Sequence, residues 1–365
     1  MSLDHLVDFN NMTVDEWNEI HNLAVKIIKN PEEYTNICNN KILATLFYEP
    51  STRTMMSFQT AMLRLGGKII GFDNPQNSSV AKGETLKDTI MMVSSYADII
   101  VMRNPKEGAA FAASLYSKKP IINAGDGGHF HPTQTMADLF TIIREKGTVS
   151  GLNIGVCGDL KLGRTTHSLL RALSMFSRNT YYLFSSPHFR MPTDIVDLLR
   201  NKGNTVYETI NLEDNLGDLD VLYMTRIQKE RIFDETLRND MTNQNILTTE
   251  KLKKMKKDSI ILHPLPRVDE IEEKVDYDPR AKYFEQAQNG LYVRMALIIK
   301  MLEHRENGIF IQKIEEFQNK KENHSLICPN QICITRTEKY LPILTYPIQG
   351  PRPGDACLYC DYRVN

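Results

Sequence analysis

The chain of 365 residues is long for one domain, and its 41% hydrophobic content can fill more than one core. A formal net charge of −1 sets up no global field for nucleic acid or an anionic membrane, so any anion site must be local. No run approaches the ~20 apolar residues of a membrane span, and the acidic start, Met1 to Asp8, lacks a signal-peptide pattern; a cytoplasmic enzyme is the expectation.

Thr13, with Glu16 three residues on, is a capping-box pattern that predicts an amphipathic helix up to residue 30. Lys41 to Tyr48 is apolar and rich in β-branched and aromatic residues, as expected of a buried strand. Glu49 and Pro50 follow, and then Ser51, Thr52, Arg53 and Thr54 crowd three hydroxyls around one arginine. Met55, Phe58, Met62 and Leu65 recur at helical spacing until Gly66-Gly67. Ser51 is the expected N-cap. A helix N-terminus presents backbone N–H groups that favour a phosphate, and Arg53 adds a fork-shaped cation. Lys68 to Phe72 reads as a second buried strand, 73–84 as a loop, and Leu86 to Ala97 as a helix. Asp98 to Arg103 and Pro120 to Ala124 read as strands, the latter ending in Gly125-Asp126-Gly127-Gly128. Strands alternating with helices imply parallel βαβ units.

The pattern then repeats. Strands are predicted at Leu152 to Gly158, Thr180 to Phe184, Val221 to Arg226 and Ser259 to Pro264, with helices at Thr165 to Phe176 and Pro192 to Lys202. A lobe boundary falls near residues 130–150. Tyr283 to Glu303 reads as a long helix that can return to the first lobe, and 312–323 as a polar linker. Cys38 and Cys157 stand alone, whereas four cysteines crowd into the last 38 residues. Cys328-x4-Cys333 and Cys357-x2-Cys360, with 23 residues between the pairs, form a structural-zinc signature, because four thiolates close a tetrahedral site. Some 40 residues need such a staple, since they cannot supply a core of their own. Between the pairs, Ile332 to Tyr346 reads as β-ribbon.

Parallel sheets bind ligands at the carboxyl ends of their strands. That edge collects Ser51 to Thr54, Arg103, Asp126, His129, His131, Arg164, Arg226 and His263. Arginines ending strands in both lobes point to an anionic substrate.

Five stretches, Phe47 to Thr54, Val101 to Gly108, His131-Pro-Thr-Gln-Thr135, Gly158 to Thr165 and His263-Pro-Leu-Pro-Arg267, together resemble the aspartate transcarbamoylase catalytic chain over residues 1–308. The resemblance implies the transcarbamoylase fold: two doubly wound parallel-sheet lobes of α/β class, here with a small C-terminal zinc β-ribbon domain. It implies a carbamoyl phosphate-binding domain of 1–131 plus a returning helix 285–308, an aspartate-binding domain of 132–284, a linker of 309–324 and a zinc domain of 325–365. The implied reaction carries the carbamoyl group of carbamoyl phosphate to the α-amine of L-aspartate, giving N-carbamoyl-L-aspartate and phosphate in pyrimidine biosynthesis, with no organic cofactor. Thr54, Arg103 and His131 would aim at the carbonyl oxygen, where charge develops. Ser51, Thr52, Arg53 and Thr54 would hold the phosphate. Gln134 and the carbonyls of Leu265 and Pro266 would read the carbamoyl amide. Arg164 and Arg226, helped by Gln228, would take the aspartate carboxylates, and 227–245 would close over them. Glu49 would pair with Arg164 or Arg231. Ser79 and Lys82 match residues that the family lends to a neighbouring subunit's site, with Ser78 as the alternative serine; this implies a homotrimer or a multiple of trimers.

The tail resembles the zinc-binding domain of the separate regulatory chain of the same family, here fused to the catalytic chain. No segment remains for that chain's nucleotide domain, so no effector-nucleotide site is expected here. The tail would staple subunits or still recruit a separate regulatory chain. Two rivals stand beside this reading. Ornithine transcarbamoylase usually carries His-Cys-Leu-Pro where this chain has His263-Pro-Leu-Pro266, and two arginines suit a dicarboxylate. A non-enzymatic assembly subunit would not need all the polar site residues to be present.

Overall fold

The structure, a computed structural model, describes residues 4–9, 12–227, 245–307, 327–348 and 354–364. They divide into two compact units, Met1–Thr133 with Leu291–Asn365, and Gln134–Gly290.

The first unit is built on a five-stranded parallel sheet in the order β1-β5-β4-β2-β3, where β1 is His5–Leu6, β2 Ile42–Phe47, β3 Lys68–Phe72, β4 Ile99–Asn104 and β5 Ile121–Asp126. The helices are α1 (Val14–Lys29), α2 (Thr52–Arg64), α3 (Leu86–Tyr96) and α4 (Ala109–Tyr116). The expected capping box opens α1: Thr13 Oγ1 accepts from Glu16 N–H at 3.2 Å, and Glu16 accepts from Thr13 N–H at 2.8 Å. β3 departs from expectation. It is the edge strand and is largely exposed, because its hydrophobic run has a paired neighbour on one side only. The segment 73–84 is not featureless but carries two short 3₁₀ turns, Pro75–Asn77 and Ser79–Lys82.

The cysteine tail lies in the first unit. Its strands β11 (Thr345–Ile348) and β12 (Gly354–Cys357) pair antiparallel. The ribbon therefore involves later residues than expected; Ile334–Arg336 is a 3₁₀ turn instead. Ile334, Leu341, Leu344, Tyr359 and the four cysteines share one buried cluster with α3, α4 and the sheet. Half of α4 is alanine, with Ala109, Ala110, Ala112 and Ala113 buried, and such small side chains let the tail approach closely. Gly108 shows how closely: its φ is +82°, and a Cβ there would stand 2.5 Å from the Tyr359 carbonyl oxygen.

The second unit repeats the plan. Its parallel sheet runs β10-β9-β6-β7-β8, with β6 Asn153–Cys157, β7 Thr180–Phe184, β8 Thr205–Thr209, β9 Val221–Met224 and β10 Ile260–Leu262. Its helices are α6 (Arg164–Leu173), α7 (Thr193–Asn201) and the one-turn α8 (Thr249–Leu252). The inner strands β6 and β9 and the edge strand β10 are buried almost throughout, as expected where a sheet is covered on both faces. Two helices pass between the units along the chain, α5 (Pro132–Lys146) and the long α9 (Tyr283–Asn307). The expected linker and the loop 228–244 lie outside the described residues. Among the described residues, no helix is long and apolar enough to cross a membrane.

Candidate active site

In the first unit, three adjacent strands deliver the polar residues. β2 and β4 are in register at Phe47 and Arg103, and β4 and β5 at Asn104 and Asp126. Because all are parallel, the residues after β2, at the end of β4 and after β5 share one edge. Tyr48 N–H donates to the Arg103 carbonyl at 2.8 Å, and this carries the chain into Glu49 beside the arginine. Glu49 Oε1 stands 2.8 Å from Arg103 Nε, and Arg103 Nη1 donates to the Ala124 carbonyl at 3.3 Å. The Glu49–Arg103 pair is not the partnership expected for Glu49; Arg231, one expected partner, lies outside the described residues.

Ser51 occupies the N-cap position of α2, yet its hydroxyl makes no capping bond, contrary to expectation. Its backbone (φ −158°, ψ 73°) turns the chain from the strand end into the helix and brings Thr52, Arg53 and Thr54 into the first turn. Thr52 and Arg53 are exposed, and Thr54 is half-buried. Ser79 and Lys82 are exposed on their 3₁₀ turn. Ser78 is half-buried and its hydroxyl is used within the turn: its Oγ accepts from Val80 N–H at 3.3 Å and donates to the Pro75 carbonyl at 2.8 Å.

The turn after β5 is held by a buried carboxylate. Asp126 accepts from Gly108 N–H (2.8 Å), Phe130 N–H (3.0 Å) and Asn123 Nδ2 (3.0 Å), and pairs with His129 Nδ1 at 3.2 Å. His129 Nε2 reaches Asp361 of the tail at 3.1 Å. Burial alone would lower the His129 pKa, but the Asp126 and Asp361 carboxylates outweigh it and raise the pKa to about 10, so the ring is a cation at neutral pH. Glu107 ties the same turn to the tail. Its carboxylate accepts from Gly128 N–H (3.0 Å) and Asn330, while its backbone bonds Ile332 and Ile334. Burial raises its pKa despite the nearby His129 cation. His131 follows at the entrance to α5 and is buried.

In the second unit, Arg164 begins α6 just after β6, Arg226 follows β9 and His263 follows β10, three neighbouring strands of the sheet. Gly158, at φ +124°, lets β6 turn away, since a Cβ there would stand 2.2 Å from the Thr225 carbonyl. His263 Nδ1 accepts from Leu265 N–H at 2.8 Å and its Nε2 pairs with Glu270 at 2.7 Å, fixing the loop that holds the cis Leu265–Pro266 bond. Burial would raise the Glu270 pKa, but the His263 hydrogen bond helps bring it below the usual carboxylate range.

Sequence reasoning missed the centre of this half, Asp138. Its Oδ1 accepts from Gln134 Nε2 (2.7 Å) and Gln286 Nε2 (2.6 Å), and its Oδ2 from the Tyr223 hydroxyl (2.9 Å). Gln286 in turn accepts from His263 N–H at 2.9 Å. The available signal was the helical i,i+4 spacing from Gln134 to Asp138. Gln228 lies outside the described residues.

The four tail cysteines are buried, and their sulfurs all lie within 4.8 Å of one another. Cys328 and Cys360 sulfurs are 3.6 Å apart, and those of Cys333 and Cys357 3.9 Å. Tetrahedral Zn–S bonds of ~2.3 Å would place sulfurs about 3.8 Å apart, so this donor set fits zinc.

Two family models match the chain: aspartate/ornithine carbamoyltransferase, carbamoyl-P binding domain, at residues 4–144, and the Asp/Orn binding domain at 150–301. The aspartate carbamoyltransferase catalytic subunit of Clostridium acetobutylicum is 56% identical over 298 residues, covering 81% of this chain and 97% of that one. The Clostridium perfringens subunit is 54% identical over 299 residues, covering 82% and 97%. Among solved structures, the catalytic subunit of M. jannaschii aspartate transcarbamoylase matches with a TM-score of 0.78 at 48% identity, covering 84% of this chain and 100% of that one. The Trypanosoma cruzi aspartate transcarbamoylase in complex with carbamoyl phosphate matches with 0.76 at 36%, covering 81% and 95%. The fold is thus that of a carbamoyltransferase. The chain belongs to the aspartate/ornithine carbamoyltransferase family, among the aspartate carbamoyltransferase catalytic subunits.

Proposed function

We propose that the chain transfers the carbamoyl group from carbamoyl phosphate to the α-amine of L-aspartate, giving N-carbamoyl-L-aspartate and phosphate in pyrimidine biosynthesis. The observation that carries this reading is the Ser51–Thr54 helix entrance placed beside Arg103 on one sheet edge, in a chain 54% identical to a named aspartate carbamoyltransferase subunit across 97% of its length. The amine nitrogen bonds to the carbamoyl carbon, the carbon–oxygen bond to phosphate breaks, and the amine proton leaves with the departing phosphate. No covalent enzyme intermediate forms, so catalysis rests on positioning and on donors aimed at the developing oxyanion.

In this reading Ser51, Thr52, Arg53 and Thr54 hold the phosphate, and Thr54, Arg103 and His131 serve the carbonyl oxygen. The Glu49 pair sets the direction of Arg103 before substrate arrives. Gln134 and the Leu265 and Pro266 carbonyls read the carbamoyl amide, and Arg164, Arg226 and Gln228 take the two carboxylates. Ser79 and Lys82 complete a neighbouring subunit's site in a trimer or a multiple of trimers. The exposure of Ser79, against the Ser78 hydroxyl already engaged within its own turn, favours Ser79 as the shared serine. Cys328, Cys333, Cys357 and Cys360 hold a structural zinc that leaves no position for catalysis. The tail and its carbamoyl phosphate domain then work as one body.

The test is phosphate release that requires both substrates. Release from carbamoyl phosphate that does not respond to aspartate would overturn the reading. The shared site has its own test: mixed subunits of Arg53→Ala and Lys82→Ala should recover activity that neither has alone, and no recovery after exchange would refute it.

A further inference from the structure

Asp126 and His129 belong to the sheet edge where the chemistry gathers, yet the catalytic reading gives neither a role. Their contacts lead away from the substrates and into the tail. Asp361 directly follows Cys360, and its N–H donates to the Cys357 carbonyl at 2.9 Å. It sits in the left-handed region at φ +58°, which Asp tolerates better than most residues. The geometry of the cysteine knuckle therefore fixes this carboxylate. Its Oδ1 accepts from the Tyr346 hydroxyl of the hairpin at 3.0 Å, and its Oδ2 takes His129 Nε2 at 3.1 Å. On its other side His129 meets Asp126, which accepts from the Phe130 N–H. The Phe130 ring lies tilted at 42° against the His129 ring, with centroids 3.7 Å apart, and His131 is the next residue. Each link is a hydrogen bond or ring contact within one compact unit.

We propose that Asp361 is a positioning residue for the carbamoyl phosphate site: held by the cysteine knuckle, it acts through His129 and Asp126 to fix the turn 126–130 and so the direction of His131. This inference rests on the reading of His131 as a donor to the carbonyl oxygen. The tail is then a strut of the active site as well as a staple. Charge-assisted hydrogen bonds suit such a strut, because they are short and directional.

The experiment uses the full-length zinc-loaded enzyme. Wild type, Asp361→Ala, Asp361→Asn and His129→Asn are compared for kcat, for KM of each substrate, for bound zinc by elemental analysis, and for carbamoyl phosphate affinity by calorimetry without aspartate. Asp361→Ala should keep its zinc, lose about tenfold in kcat and bind carbamoyl phosphate several-fold more weakly, with the aspartate KM within twofold. Asp361→Asn, which can still accept from the histidine, should recover most of the loss. His129→Asn alters the link from the lobe side, away from the knuckle, and should reproduce the defect even if Asp361→Ala folds poorly. Wild-type kcat and carbamoyl phosphate affinity in His129→Asn, or in zinc-replete Asp361→Ala, would overturn the inference. A wild-type enzyme without carbamoyl transfer would instead overturn the functional reading.

Discussion

Glu49 and Arg103 are ion-paired at 2.8 Å, both largely buried, at the ends of neighbouring strands. The pair holds the guanidinium in one direction at the sheet edge. Glu49→Gln keeps the shape but removes the charge, so Arg103 can leave its direction. Steady-state kinetics should show kcat down by about tenfold, while the melting temperature moves little, since a pair still in touch with solvent contributes only about 1 kcal/mol. An unchanged kcat would count against preorganisation of Arg103 by Glu49.

Asp138 accepts three hydrogen bonds while wholly buried. Asp138→Ala leaves Gln134, Gln286 and Tyr223 without that acceptor, and each unpaired buried donor costs roughly 1–3 kcal/mol. The urea midpoint should fall sharply in the alanine variant and much less in Asp138→Asn, which keeps one acceptor oxygen. Carbamoyl transfer should weaken in both, because Gln134 and the His263 loop lose their common anchor. Equal midpoints for the two variants would argue against the hub.

His129 provides a pH signature. Its folded pKa of about 10 lies above the ordinary 6.5, because the two carboxylates outweigh burial. The stabilisation is therefore full below pH 6.5 and is lost as pH rises through about 10. The melting-temperature gap between wild type and His129→Asn should be widest near pH 6 and close by about pH 10.5. A gap that grows with pH would contradict the paired cation.

Cys360→Ser removes one ligand from the four-sulfur cluster. Bound zinc, measured by elemental analysis, should disappear, and the stability of the assembly should fall. The Asp361–His129 contact predicts that kcat falls together with the metal. Normal assembly and kcat without zinc would refute the staple and the coupling alike.

The strand-end residues were legible because each follows a short apolar run directly, and strand ends in parallel sheets share an edge whatever the strand order. Strand order itself is not legible, so the apolar run Lys68–Phe72 predicts a buried strand where the structure has the sheet edge. α4 is not legible, because a short, largely apolar helix shows no polar stripe. The one start signal of α5 is Pro132 at its first helical position, within the same His131-Pro-Thr-Gln stretch that carries the site chemistry. The cysteines announced their cluster by spacing, but the hairpin register waited on Thr345 pairing with Cys357. Glu107, Asp138 and Asp361 could not be assigned, since most of their partners lie far away in sequence, and a carboxylate on a surface or in a hub looks the same in one dimension.

The most direct measurement is product identity. Purified enzyme is given carbamoyl phosphate with L-aspartate or with L-ornithine, and the products are resolved by mass. N-carbamoyl-L-aspartate with equimolar phosphate, and no citrulline, is the predicted result. Citrulline as the main product, or neither product, would contradict the assignment of Arg164 and Arg226 to a dicarboxylate.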